Sequence, residues 1–134
     1  MQIYTIRLKE GDELRSSLMN FAKENNLTAA SILTCVGAVT KARLRMAGAQ
    51  PDKQDIRDYE DSFEIISLTG TFGLDDGHFH IALSDKDGKM IGGHLKSAVI
   101  DITADIVILN DETLRYTTEL DETGFTCLVV KKNV

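Results

Sequence analysis

GHFHIALSDKDGKMIGGHL, residues 77–95, decides how the second half of the chain folds, and it holds all three of the protein's histidines. Its first part alternates with the two-residue period of a strand. Phe79, Ile81 and Leu83 fall on one face, and His78, His80 and Ala82 on the other. The apolar triplet belongs to a core. Asp87-Gly88 is a tight-turn signal, so residues 78–84 and about 89–91 are predicted to pair as a hairpin. The chain then returns through Ile91-Gly92-Gly93 to His94. Glycines lack Cβ, and two in succession permit positive φ and close backbone approach at a tightly packed corner.

This hairpin puts His78 and His80 side by side and brings His94 back beside them. Three neutral imidazoles suit Zn²⁺ at about 2.0–2.1 Å and leave a fourth position for water or a ligand carboxylate. The competing reading is a strand face that happens to carry His78 and His80, with His94 satisfied by a backbone carbonyl. An HxH pair alone is weak evidence. The third histidine, returning through a predicted hairpin, shifts the balance to a metal site.

Working outward, SFEIISLTGTF, VIDITADIVIL, LRYTTEL and FTCLVVKK are further strand candidates, most of them bounded by Gly, Asp or Asn. Ile102, Ala104, Ile106 and Ile108 alternate with Val107 and Leu109, so apolar residues occur at both parities and predict a strand end buried on both faces. Upstream, QIYTIRL alternates like a strand. GDELRSSLMNFAKENN carries Leu14, Leu18, Phe21 and Ala22 at helical spacing, with Asp12 as the predicted N-cap and Asn25 or Asn26 as the exit. ASILTCVGAV and RLRMAG read as strands, and AQPDKQDIRDYED, polar and holding the only proline, as a surface loop.

Composition sets the class. A chain of 134 residues with 43% hydrophobic content is expected to form one domain, residues 1–134, able to bury a core without disulfides or metal. No stretch approaches the ~18 consecutive apolar residues of a membrane span, and the N-terminus lacks an apolar leader core, so a cytoplasmic protein is expected. Cys35 and Cys127 sit in apolar runs and read as two buried thiols. Asp and Glu outnumber Lys and Arg by 21 to 15, for a net charge of −6. Nothing electrostatic recommends nucleic acid as a partner. The densest basic stretch, residues 41–45, places Lys41, Arg43 and Arg45 on one strand face and Ala42 and Leu44 on the other.

Taken in order, GDEL, ILTCVGAVTKARLR, FEIISLTGT, HFHIALSDKDGKMIGGHL and VIDITADIVI resemble the plant and prokaryote conserved (PPC) domain over nearly the whole chain. The resemblance implies an α+β fold, a mainly antiparallel sheet with flanking helices, assembled as a homotrimer. It also implies a metal on His78, His80 and His94, as in some prokaryotic members. The family carries a DNA-binding label. In its plant members, DNA contact comes from a separate AT-hook with an Arg-Gly-Arg-Pro core, which does not occur in these residues. Where the plant pattern tends to Gly-Arg-Phe-Glu-Ile, this chain has Asp61-Ser62-Phe63-Glu64-Ile65.

The favoured expectation is therefore a homotrimeric metal-binding module, with zinc foremost among divalent transition metals. Its open coordination position would receive a small anionic ligand or a partner's side chain. Arg45, a bidentate fork for an anion, and Glu64, an acceptor able to orient an imidazole, are the candidate residues around the metal. Exposed strand edges call for self-association and place the site near a subunit boundary. The alternatives are a zinc-dependent enzyme of unnamed reaction, with Glu64 as general base, and a DNA-binding protein.

Overall fold

Apolar alternation makes most of this chain strand, and the strands exceed the lengths that local patterning delimits. The computed structural model describes residues 1–133; Val134, the last residue of the expected domain, lies outside the described residues. The elements are β1 (Gln2–Lys9), α1 (Leu14–Glu24), β2 (Ala30–Arg45), β3 (Ile56–Phe72), β4 (Gly77–Ser84), β5 (Met90–Asn110), β6 (Leu114–Leu120) and β7 (Thr126–Lys132). The result is a mostly antiparallel fold with one short helix among the described residues, where flanking helices in the plural were expected. Residues 56–61, whose polarity predicts loop, are the start of β3. Their partners on β2, Arg45 back to Lys41, supply the ladder that polarity conceals.

The main sheet runs β1-β5-β2-β3-β4, and β4 pairs again with β5, so β5, β2, β3 and β4 close into a ring. β5 makes this closure possible. Its first five residues, Met90–His94, pair with β4; from His94 to Asn110 it pairs with β2; and Thr103–Asn110 also pair with β1. Phe79, Ile81 and Leu83 are buried as the alternation requires, and they join Val39, Leu44, Leu95 and Ile100 in the core. β6 and β7 form a separate two-stranded hairpin.

α1 lies against β5 with Leu14, Leu18 and Ala22 fully buried. Its cap is Glu13 rather than Asp12. Glu13 accepts from the Ser16 and Arg15 amides and also from the Ala98 amide at 2.9 Å, so one carboxylate starts the helix and ties it to β5. Asp12 instead accepts from the Lys9 amide. Asn25 caps the exit as expected.

One bulge overturns a face assignment. The register of β2 with β5 slips between Gly37–Ala104 and Ala38–Asp101, and Ile102 there has φ 63°. A β-branched residue at positive φ is a backbone outlier. The slip breaks the alternation, so Ile102 is 69% exposed while Ala104, Ile106 and Ile108 stay buried. A Cβ on Gly37 would lie 2.5 Å from the Ala104 Cα, which is why glycine stands opposite the bulge. Leu33, Val36 and Ile66 are likewise exposed large apolar residues on β2 and β3.

Candidate metal centre and adjoining cavity

The three histidines meet where β5 passes from one neighbour to the next. His94 pairs with His80 on β4 and with Arg45 on β2, so a single register position carries three candidate side chains on three strands. His78 lies two residues from His80 on the same face of β4. The ring centroids are 4.9 Å apart for His78–His80, 5.0 Å for His78–His94 and 5.9 Å for His80–His94. Their ligand atoms all lie within 4.8 Å of one another.

The strands position these side chains, and glycine makes the crossing possible. A Cβ on Gly92 would fall 2.7 Å from the Ile81 carbonyl oxygen, and one on Gly93 2.7 Å from that of Arg45. Neither residue has positive φ. Close approach on both sides of β5, not an unusual turn, requires the pair. Arg15, in the first turn of α1, donates to Asp76 at 3.1 Å and to the Gly77 carbonyl at 3.0 Å, fixing the start of β4 beside His78.

Burial, then Arg45 and His78, push the His94 imidazole down to about 4. His78 is held below its ordinary value, by burial first and by His80 and Arg45 after it. Near neutral pH both rings are uncharged, the form that ligates a metal. A tetrahedral zinc with bonds of ~2.0–2.1 Å needs nitrogens roughly 3.3 Å apart, so the ligand atoms, all within 4.8 Å of one another, would have to draw together to hold it.

Arg45 is brought to the site. Its Nη2 lies 3.3 Å from His94 Nδ1, and its guanidinium carbon sits 5.4 Å from the ring centre of Phe125, just before β7. Glu64 is not brought there within the chain. It is exposed and pairs with Ser84, four residues along β4 from His80, which is about 13 Å of strand. The geometry therefore removes the Glu64 carboxylate from the same chain's imidazoles.

A cavity of about 650 Å³ lies beside His78 and His94, beneath the β6–β7 hairpin. Arg15, Arg45, Lys96, Thr117 and Phe125 line it, contributed by α1, β2, β5 and the hairpin. Apart from Arg45, sequence patterning missed these residues: Lys96, two residues past His94, carries no ligand signal of its own, the others lie far from the histidines in sequence, and strand alternation does not report which hairpin covers which strand. Cys127, expected to be buried, is exposed and lines the cavity; Cys35 is buried, and both thiols are free. No helix is long and apolar enough to cross a membrane among the described residues.

Comparison with known proteins places this geometry in a family. The Plants and Prokaryotes Conserved (PCC) domain matches residues 1–111, which ends just before the hairpin. A hypothetical protein of Salmonella enterica superposes with a TM-score of 0.93 at 32% identity, covering 99% of this chain and 95% of the other. A metal-containing protein from Archaeoglobus fulgidus superposes at 0.84 with 26% identity, covering 96% and 94%. Among curated proteins, the bifunctional protein GlmU of Synechococcus sp. (strain JA-3-3Ab) is 32% identical over 134 residues, covering 98% of this chain and 21% of that protein. An Arabidopsis thaliana AT-hook motif nuclear-localized protein is 30% identical over 98 residues, covering 67% of this chain and 22% of that protein. The chain thus spans about a fifth of the length of these curated relatives. Closed sheet, histidine-bearing hairpin and the match over residues 1–111 lead to one conclusion: the chain belongs to the Plants and Prokaryotes Conserved domain family.

Proposed function

We propose that this chain is a homotrimeric metal-binding module in which His78, His80 and His94 hold one divalent transition metal, zinc foremost. One open coordination position then receives a small anionic ligand or a partner's side chain. The observation that carries the reading is the convergence of three imidazoles, from two strands, with ligand atoms within 4.8 Å. Three neutral nitrogens on rigid strands match a site that keeps its fourth position open. When bound, the metal supplies a Lewis-acidic centre. The chain's own part is to hold the imidazoles, to place Arg45 against His94, and to wall the site with the hairpin. The metal-containing Archaeoglobus relative supports this reading. Exposed Leu33, Val36, Ile66 and Ile102 support self-association, with the site near a subunit boundary.

Elemental analysis of untagged protein after dialysis tests the metal. One zinc per chain is expected, and none in the variant with all three histidines replaced by alanine. Stoichiometric zinc retained by that variant overturns the assignment. Light scattering tests the assembly: a mass near 14.8 kDa at micromolar concentration defeats the trimer.

A second reading is association with nucleic acid, favoured by the AT-hook relative. Against it stands the net charge of −6, which disfavours a surface tracking phosphates. Fluorescence anisotropy with duplex DNA at low and physiological salt separates the two. Tight, sequence-selective binding at physiological salt promotes nucleic acid above the metal-ligand module.

A further inference from the structure

We infer that the cavity beneath the β6–β7 hairpin binds a small organic monocarboxylate with an apolar body, anchored by Arg45, Lys96 and the Thr117 hydroxyl. The coupling to metal described below rests on the three-histidine reading; the cavity does not.

Four observations converge. The volume, about 650 Å³, falls in the range of small-molecule sites. In a chain with excess acid, Arg45 and Lys96 line this cavity, and neither meets a carboxylate among the described residues. The third cation, Arg15, is taken by Asp76. The Thr117 hydroxyl oxygen is buried without a hydrogen-bond partner among the described residues, and it lies on the same hairpin wall. A buried hydroxyl left unpaired costs about 1–3 kcal/mol, and rotation of the Thr117 side chain towards the cavity lets a ligand oxygen satisfy it. Phe125 and exposed Leu128 supply apolar surface for the ligand's body, over the buried Phe72 and Leu95 of the core. Asp75 and Asp76 also line the cavity, so a second carboxylate on the ligand meets like charge there. That selects a single anionic group.

The hydrogen bond from Arg45 links this site to the metal centre. A guanidinium only donates, so His94 Nδ1 is the acceptor in the 3.3 Å contact, and in the neutral ring Nε2 carries the proton. A metal on His94 ends this arrangement whichever nitrogen it takes. On Nδ1 it uses the lone pair that Arg45 faces. On Nε2 it leaves the proton on Nδ1, pointing at a group with no acceptor. Arg45 is therefore released from His94 on metal loading, and its guanidinium becomes available to the carboxylate. Metal and carboxylate then favour each other's binding, and by linkage the factor is the same in both directions.

The test uses the full chain, stripped of metal and titrated by calorimetry with Zn²⁺, 3-phenylpropanoate, its neutral amide and acetate. The zinc-loaded protein is expected to bind 3-phenylpropanoate at least about tenfold more tightly than the amide or acetate, and more tightly than the zinc-free protein does. Lys96→Gln weakens the carboxylate by about tenfold. Arg45→Gln weakens it as well, yet raises zinc affinity, because a competing donor and a like charge have gone. Equal binding of carboxylate and amide overturns the site and leaves the metal reading standing. Zinc affinity that falls in Arg45→Gln overturns the release of Arg45. If zinc does not bind at all, the metal reading fails, and the carboxylate-to-amide comparison on the zinc-free chain still decides the cavity.

Discussion

Gly93→Ala is the single methyl that tests how the fold and the site depend on each other. At Gly93, β5 is leaving β4 for β2, and the new Cβ would lie 2.7 Å from the Arg45 carbonyl oxygen and 3.2 Å from the Met46 terminal methyl. The methionine end can swing aside. The carbonyl cannot, because it belongs to the β2–β5 ladder. Relief to an ordinary contact near 3.4 Å needs a shift of roughly 0.7 Å between the strands, of the scale that costs about 1–3 kcal/mol when a packed site is overfilled. For a chain of this size that is a fall of roughly 4–10 °C in melting temperature. The shift falls between Arg45 and the residue preceding His94, so imidazole geometry suffers too. A displacement beyond about 0.5 Å loosens a constellation of ligands, and zinc affinity should drop on the order of tenfold or more. Thermal melts followed by circular dichroism give the first number, and competition with a chromophoric chelator the second. Gly88→Ala is the comparison, since a Cβ there meets nothing within 4 Å and only its φ of +78° is strained. A Gly93→Ala protein with wild-type melting and zinc affinity would refute the close-approach argument.

Zinc at a hundred times its dissociation constant should stabilise the wild type by about 2.7 kcal/mol and the His94→Ala variant not at all, read as the shift in melting temperature. Ile102→Asp places a charge on a residue 69% exposed at the bulge, and should lower the assembled mass in light scattering while the circular dichroism spectrum is kept. With native protein at pH 8, a thiol reagent should modify exposed Cys127, more slowly than a free cysteine because its hydrogen bond to Asp121 holds the thiol protonated, and buried Cys35 only on unfolding. Burial, then Asp105, push the Cys35 thiol from 9.0 up to about 11. The folded state therefore holds this proton when the unfolded chain has lost it. The stability it contributes is complete below about pH 9 and lost as pH rises toward 11, on the order of 2 kcal/mol, and Cys35→Ala should abolish that slope in denaturant titrations.

What sequence could reveal was what depends on short-range periodicity. The burial of Phe79, Ile81 and Leu83 and the hairpin returning through Asp87-Gly88 follow from alternation and turn chemistry, and the convergence of the histidines follows from both. Longer-range facts were not legible. Ile102 was assigned to the buried face because alternation assumes an unbroken strand, and nothing in VIDITADIVIL marks the bulge. Residues 56–61 read as loop because their side chains are mostly polar on both faces, although backbone pairing of Ile56–Glu60 to β2 makes this stretch strand. Asp12 was the better cap by composition. Glu13 took the position because its longer side chain also reaches the Ala98 amide across to β5, a contact that local sequence cannot show.

The same distinction explains why the three imidazoles of the candidate metal centre are readable from local pattern, while Arg45 enters only through the family resemblance and the cavity lining not at all. His78 and His80 are fixed by one strand, and His94 by a tight turn, so their meeting needs few residues of chain. Arg45 lies 49 residues from His94, and Thr117 further along in a hairpin beyond the family match. Their meeting depends on β5 serving two neighbours. That double service is possible only if the strand narrows where it crosses, and Gly92 and Gly93 are the narrowing. His94 is the first residue after it with a side chain, and β4 and β2 flank it at once. A side chain there faces a partner on either strand. The closure that completes the sheet thus also brings an imidazole from β5, two from β4 and a guanidinium from β2 to one corner.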